Sequence, residues 1–269
     1  PDEAVGQLAP EAVAMDHRGR FLVADTGNHR ILILSREGSL IDQFGGYGWE
    51  RGRLDTPSDL SVYPGFYTYV LDRGNRRVVR YDDRGDFLDV VVPEDQAGSP
   101  VSIAVGPAGG LFLVDSDSQS VLSYSQFDER LEPVGSFGTG RGGLVDPAAV
   151  FIGPGREIAV ADPGSGSVEV FDEFGGYLFA VTAPDSMYPL DVVVDAHGNI
   201  LVADGLGRRV LAFPPHGGAP TASYDGGGEA FEPYGLALGR PGEVLALERS
   251  TGRIHQIEIL YGGEPPTEQ

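Results

Sequence analysis

Two landmarks recur together along the chain at a fixed separation. A proline opens an apolar segment, and an acidic residue closes the next apolar segment 15 residues later, in six consecutive units. The prolines are Pro10, Pro57, Pro100, Pro147, Pro189 and Pro233, and the acidic residues are Asp25, Asp72, Asp115, Asp162, Asp204 and Glu248. Successive units lie 42 to 47 residues apart. Self-similarity at such a period predicts six copies of one supersecondary unit.

Each unit contains four short apolar segments separated by glycine-rich turns. In the first unit they are residues 11–15, 21–25, 30–34 and 40–44, and the 40 glycines and 20 prolines suit many short strands better than long helices. Four strands in about 45 residues form one blade of a β-propeller. The sequence therefore predicts an all-β fold, a six-bladed β-propeller of four-stranded antiparallel blades that begin near residues 10, 57, 100, 147, 189 and 233.

The sixth unit has no segment suited to a fourth strand, because glycine, proline and glutamate dominate after residue 261. A ring of sheets has to close, since open edge strands invite aggregation. Residues 3–8 precede the first blade, and we expect them to pair as the outer strand of blade 6. Residues 1–262 are then one propeller domain, and residues 263–269 are expected to be a disordered tail.

The turns after the repeat acids resemble those of a known family. Residues 25–30 (DTGNHR) and 72–77 (DRGNRR) resemble the signature turn of NHL repeats. Residues 44–48 (FGGYG) and 137–140 (FGTG) resemble the loop that joins neighbouring blades in this family. Blade 5 keeps part of the turn, and the turns of blades 3, 4 and 6 are degenerate. The resemblance implies the propeller fold, which carries many unrelated activities.

The signature-turn residues are predicted to be structural. A carboxylate at the end of a strand can accept hydrogen bonds from turn N–H groups, asparagine can adopt the left-handed conformation, and arginine can pair with the acid. A residue type that every blade needs does not mark one functional site. The residues in question are Asp25, Asn28, Arg30, Asp72, Asn75, Arg77, Asp204 and Arg209.

Charge limits the partners that the chain can bind. The formal net charge is −21, from 40 acidic residues against 19 basic ones, and the chain contains no lysine and no cysteine. Nucleic acid is therefore an unfavourable partner, and only the near-neutral residues 16–84, with 11 arginines and 10 acids, could bind RNA through the face of blades 1 and 2. The excess of acid favours a periplasmic or extracellular location at a bacterial envelope, and no apolar run is long enough to cross a membrane.

The first strand of each blade should face the central channel. The second residues after the prolines are Ala12, Asp59, Ser102, Ala149, Asp191 and Gly235, which are small or acidic. Asp59 and Asp191, with Glu11 near one rim, could hold a cation such as Ca²⁺, which prefers several oxygen ligands. Blades 2 and 5 lie across the ring from each other, so one ion would need bridging water, and a solvated channel is the alternative. We expect no other cofactor.

Catalysis is the second functional hypothesis. Propellers related by the resemblance include metal-dependent lactonases and amidating lyases, whose carboxylates, amides or histidines converge on the channel. Here four of the five histidines fall in predicted turns, and no nucleophile, base and metal site assemble at one rim. No catalytic residue is therefore predicted. The enzyme hypothesis requires a cation at Asp59 or Asp191.

The leading hypothesis is a non-catalytic propeller that binds or scaffolds proteins, as an accessory subunit of a larger envelope or membrane-associated complex. The loop between blades 1 and 2 and the nearby turn of blade 2 place aromatic and arginine side chains on one face, a composition typical of binding hot spots. The alternative is that Trp49, the chain's single tryptophan, covers the space between the two blades. The candidate partner-binding residues are Tyr47, Trp49, Arg51, Arg53, Arg76 and Arg77.

Overall fold

A computed structural model of the chain describes residues 8–63, 65–96, 98–125, 130–134, 142–227 and 230–259. Its strands form six antiparallel sheets. Blade 1 contains β1 (Ala12–Met15), β2 (Phe21–Asp25), β3 (Arg30–Leu34) and β4 (Leu40–Gly45). Blade 2 contains β5 (Pro57–Tyr63), β6 (Tyr67–Asp72), β7 (Arg77–Asp82) and β8 (Phe87–Val92). Blade 3 contains β9 (Pro100–Val105), β10 (Leu111–Asp115), β11 (Ser120–Ser125) and β12 (Arg130–Pro133). Blade 4 contains β13 (Ala149–Ile152), β14 (Ile158–Asp162), β15 (Ser167–Phe171) and β16 (Tyr177–Val181). Blade 5 contains β17 (Pro189–Val194), β18 (Ile200–Asp204), β19 (Arg209–Phe213) and β20 (Ala222–Tyr224). Blade 6 contains β21 (Pro233–Leu238), β22 (Glu243–Glu248) and β23 (Ile254–Glu258).

The structure confirms the predicted six-bladed all-β propeller. Within the described ranges there is no α-helix, and blades 1 to 5 are four-stranded, with each strand paired antiparallel to the next in sequence. Blade 6 has three strands among the described residues. The fourth strand expected from residues 3–8 and the tail expected at 263–269 fall outside the described residues, apart from Leu8.

The fixed offset between proline and acid has a direct structural cause. Each repeat acid ends a second strand, and its carboxylate accepts a hydrogen bond from the backbone N–H of the residue just ahead of the repeat proline or one position earlier. The N–H···O distances are 3.0 Å from Ala9 to Asp25, 2.6 Å from Asp55 to Asp72 and 2.9 Å from Tyr188 to Asp204. The acid therefore fixes the entry of the chain into each blade, because the proline itself has no N–H to donate.

The hydrophobic core lies between the blades. Among the described residues it divides into six clusters, and each cluster combines apolar side chains from two neighbouring blades. One of them joins Val13 and Val23 of blade 1 to Leu245 and Leu247 of blade 6. Apolar contacts thus continue around the whole ring, including across the junction between the first and last blades.

Charged side chains also cross that junction. Glu11 of blade 1 pairs with Arg249 of blade 6, and Arg36 of blade 1 pairs with Glu243 of blade 6. Both carboxylates are buried. The ring is therefore closed by packing and ion pairs between blades 1 and 6.

The strand order defines two faces. The turns between second and third strands and the loops between blades lie on one side, here called the signature face. The turns between first and second strands lie on the other side, here called the opposite face. The first strands surround the central channel that connects the two faces.

Candidate functional site

The loop between blades 1 and 2, residues 46–56, is fixed to the propeller at several points. Leu54 is fully buried and anchors it, while the backbone N–H of Gly46 donates to the carbonyl of His29 over 2.7 Å. Within the loop, Leu54 donates to the carbonyl of Gly46 over 2.9 Å. The positive φ of Gly46, 89°, brings the backbone close to Arg53, where a Cβ atom would lie 2.7 Å from Nη1. The loop is therefore held in one conformation by buried and hydrogen-bonded contacts.

Two aromatic side chains project from this loop into solvent. Trp49 is 77% exposed and Tyr47 is 72% exposed, although Tyr47 keeps an edge contact with His29 at 4.9 Å between ring centroids. Trp49 does not cover the space between blades 1 and 2, because the buried Leu54 occupies the core cluster there. The exposed position of Trp49, one of the two alternatives left open by the sequence, is the one that the structure adopts.

The arginines of the predicted surface divide into two groups. Arg77 is mostly buried; it donates to Asp72 over 2.8 Å, to the carbonyl of Trp49 over 2.9 Å and to the carbonyl of Arg53 over 2.8 Å. Arg53 donates back to the carbonyl of Gly45, and Arg76 to that of Gly98. These three arginines position the loop and its neighbours. Arg51 is exposed two residues after Trp49 in the sequence, and Arg53 and Arg76 remain exposed despite their hydrogen bonds.

The polar residues of the channel bridge neighbouring blades. Asp59 of blade 2 accepts hydrogen bonds from the backbone N–H of Leu60, over 2.7 Å, and of Ile103 in blade 3, over 2.7 Å. Asp191 of blade 5 repeats this arrangement with Val192 and with Leu236 of blade 6, over 2.8 and 2.6 Å. These carboxylates satisfy N–H groups on the inner edges of the first strands, which would otherwise face the channel without a partner.

Burial changes the acidity of both channel carboxyl groups. It raises the pKa of Asp59 to about 6 and the pKa of Asp191 to about 7, while the backbone hydrogen bonds oppose the increase. The negative charge of Asp59 raises the pKa of Asp191 further. The two carboxyl groups therefore change their protonation close to neutral pH.

Glu11 lies at the signature-face end of the channel and is held by arginines from both neighbouring blades. Its carboxylate accepts hydrogen bonds from Arg73 of blade 2, over 3.0 Å, and from Arg249 of blade 6. The guanidinium of Arg249 also stacks over Tyr234, 4.9 Å from the ring centroid. Glu11 was predicted as a cation ligand together with Asp59 and Asp191, and the structure places it in this separate cluster.

In the described part of the chain, no group of three His, Cys, Asp or Glu side chains is arranged so that it could bind a metal ion. The same residues include no helix with the length and hydrophobicity that a bilayer crossing requires.

Sequence reasoning missed the partners of Glu11. Arg73 and Arg249 each follow a repeat acid directly, in the pairs Asp72-Arg73 and Glu248-Arg249. Aligning the units on their acids would have placed both arginines on the signature face, flanking blade 1. The shared position of these two residues is the sequence signal for the cluster.

Comparison with protein families matches residues 9–34, the first repeat, to the family model described as NHL repeat. The human E3 ubiquitin-protein ligase NHLRC1 is 24% identical over 264 residues, a match that covers 91% of this chain and 65% of that protein. The rat protein of the same name is 22% identical with the same coverage. This chain thus spans about 65% of the length of the curated relatives that it matches.

Solved structures share the fold. A streptogramin B lyase superposes with a TM-score of 0.68 at 13% identity, covering 94% of this chain and 84% of that one. A chain of the nidogen/laminin complex superposes with a TM-score of 0.66 at 15% identity, covering 85% and 84%. One of these neighbours is an enzyme and the other belongs to a protein complex, so the likeness concerns architecture and leaves activity open.

Proposed function

This chain is an NHL-repeat β-propeller of six blades, and we propose that it is a non-catalytic module that binds a protein partner through Tyr47, Trp49 and Arg51. The observation that carries the proposal is the exposure of Trp49 and Tyr47, 77% and 72%, on a loop that the propeller holds in place. Large aromatic side chains with a neighbouring arginine are enriched where binding energy concentrates.

Rigidity of the loop supports the same conclusion. Binding loses free energy when a loop has to be ordered, and a loop that is already ordered avoids part of that loss. The hydrogen bonds from Arg77 to the carbonyls of Trp49 and Arg53 order this loop in the free protein. Arg77 therefore acts by positioning, whereas Tyr47, Trp49 and Arg51 offer contact surface.

Charge and the structural neighbours support a protein as the partner. We infer that the chain is an accessory subunit of a larger envelope or membrane-associated complex, on the periplasmic or extracellular side of a bacterial envelope. The net charge of −21 disfavours nucleic acid as the partner. The propeller fold in a nidogen/laminin complex shows that this architecture occurs within protein assemblies.

Replacing Trp49 by alanine is expected to weaken partner binding by about 30-fold, which corresponds to about 2 kcal/mol. The experiment is affinity capture from the native source in mild detergent with the wild-type protein, identification of stoichiometric partners by mass spectrometry, and titration of the purified partner. Since the Trp49 side chain is exposed, its truncation should leave the thermal unfolding temperature unchanged.

The matched control is Phe174→Ala. Phe174 is also 77% exposed, but it lies in the turn between the third and fourth strands of blade 4, on the opposite face. This variant should bind the partner like the wild type. Equal binding by the Trp49 and Phe174 variants, or the absence of any stoichiometric partner, would contradict the proposed surface.

A further inference from the structure

The central channel widens into a cavity of about 670 Å³. First strands from all six blades line it, and its outer residues include Met15, Tyr63 and Pro107 at or near the ends of those strands. The cavity therefore opens on the opposite face, away from Trp49. Its volume lies within the roughly 300–1,000 Å³ of typical small-molecule sites.

The inner end of the cavity holds two carboxyl groups with space between them. Asp59 and Asp191 come from blades 2 and 5, which stand across the ring from each other. The other residues at the equivalent position after the repeat proline are small, so no bulky side chain fills the channel at this level; they are Ala12, Ser102, Ala149 and Gly235. Both carboxyl groups line the same cavity, and two negative charges there repel each other. A positive charge between them would relieve this repulsion.

The rest of the lining is mostly apolar or aromatic, with the hydroxyl groups of Ser61 and Ser102 on the first strands of blades 2 and 3. Both hydroxyls accept backbone N–H hydrogen bonds, from Val105 over 3.0 Å and from Val150 over 3.2 Å.

The charged or titratable residues in the lining, besides Asp59 and Asp191, are Asp16 and His17 at the rim and the phenol of Tyr63, and no arginine contributes. Asp16 is paired with Arg20 over 2.7 Å. At the rim, Phe66 is 57% exposed and stacks on Tyr63 with 5.3 Å between ring centroids. Aromatic faces attract organic cations as well as apolar groups.

We propose that this cavity binds a hydrophobic organic cation, an alkylammonium or arylammonium, with the charged head between Asp59 and Asp191 and the apolar body against the cavity wall near Tyr63 and Phe66. An organic cation suits the site better than a metal ion, because the described residues group no third His, Cys, Asp or Glu ligand with these two carboxyl groups, and most of the lining beyond them is apolar. The site is independent of the proposed protein-binding surface, which lies on the signature face.

The test is isothermal titration with hexyltrimethylammonium, with 1-hexanol as the uncharged probe of the same alkyl length. We expect saturable one-to-one binding of the ammonium ion and at least tenfold weaker binding of the alcohol. The Asp59→Asn/Asp191→Asn variant should lose at least tenfold in affinity for the ammonium ion. Phe66→Ala should lose about threefold to fivefold, because it removes one aromatic contact while leaving both carboxyl groups in place.

The control for the net charge of the protein is Asp42→Asn/Glu94→Gln. It also removes two negative charges, but from exposed sites outside the cavity. This variant should bind the ammonium ion like the wild type. The proposal is overturned if the wild type does not bind the ion, if both double variants weaken binding equally, or if hexanol binds equally well. Displacement of the ion by equimolar Ca²⁺ would assign the cavity to a metal and would also overturn it. If the channel variant fails to fold, the Phe66 variant and hexanol decide the outcome.

Discussion

Replacing Asp204 by alanine is expected to lower the free energy of unfolding by about 3–5 kcal/mol. Its carboxylate is fully buried and accepts hydrogen bonds from the N–H groups of Tyr188, Leu206 and Gly207 over 2.9 to 3.1 Å. It also pairs with Arg209 over 2.9 Å. Alanine would leave these donors without their acceptor and weaken the entry of the chain into blade 5.

Urea denaturation followed by circular dichroism measures this loss. Asp204→Asn keeps one acceptor oxygen, so its loss should be smaller than that of the alanine variant. The control is Asp225→Ala in the loop that follows blade 5, where the aspartate is exposed and the change should stay within about 0.5 kcal/mol. A similar loss in the Asp204 and Asp225 alanine variants would show that the repeat acid does not have the structural role assigned to it.

Substituting both channel aspartates should change how stability depends on pH. The folded-state pKa values of Asp59 and Asp191, about 6 and about 7, lie above the value of about 4 for an aspartate in the unfolded chain. The protonated groups therefore favour the folded state at pH values below about 4, and this contribution is lost as the pH rises through 6 and 7. In Asp59→Asn/Asp191→Asn it is absent at every pH.

Relative to the wild type, the free energy of unfolding of the channel variant should accordingly gain about 3 kcal/mol between pH 4.5 and pH 8. This figure is reduced from the full shifts because both aspartates are only half-buried. Denaturation curves at the two pH values give this difference, in which the pH-independent cost of the lost backbone hydrogen bonds cancels. Asp42→Asn/Glu94→Gln controls for net charge. The same stability difference between variant and wild type at both pH values would mean that folding does not raise the pKa values of Asp59 and Asp191.

The repeat made the fold predictable because its two landmarks are tied by a hydrogen bond. A hydrogen bond from one of the two residues ahead of the proline to the buried acid recurs in every blade, so the sequence periodicity records a physical contact. The position of Trp49 could not be predicted in this way. It depends on Leu54 filling the core between blades 1 and 2, and Leu54 and Trp49 are equally apolar candidates for that space in the sequence.

The channel residues show a second limit of sequence reasoning. Alternation along the first strand correctly indicated that Asp59 and Asp191 line the channel, whereas their bonds to Ile103 and Leu236 depend on how neighbouring blades are staggered. The sequence hypothesis groups Glu11 with them as a residue near one rim of the channel. Its actual partners come from blades 2 and 6, and Arg249 is 238 residues away, a contact that only closure of the ring creates.

Intrinsic fluorescence tests the central claim most directly, because Trp49 is the chain's single tryptophan. Replacing it with 5-hydroxytryptophan allows selective excitation in the presence of a partner that contains tryptophan. In the free protein, acrylamide should quench this emission nearly as efficiently as that of the free amino acid. Addition of the captured partner should shift the emission to shorter wavelength and reduce quenching severalfold. Emission and quenching that stay unchanged at saturating partner would contradict binding through the loop between blades 1 and 2.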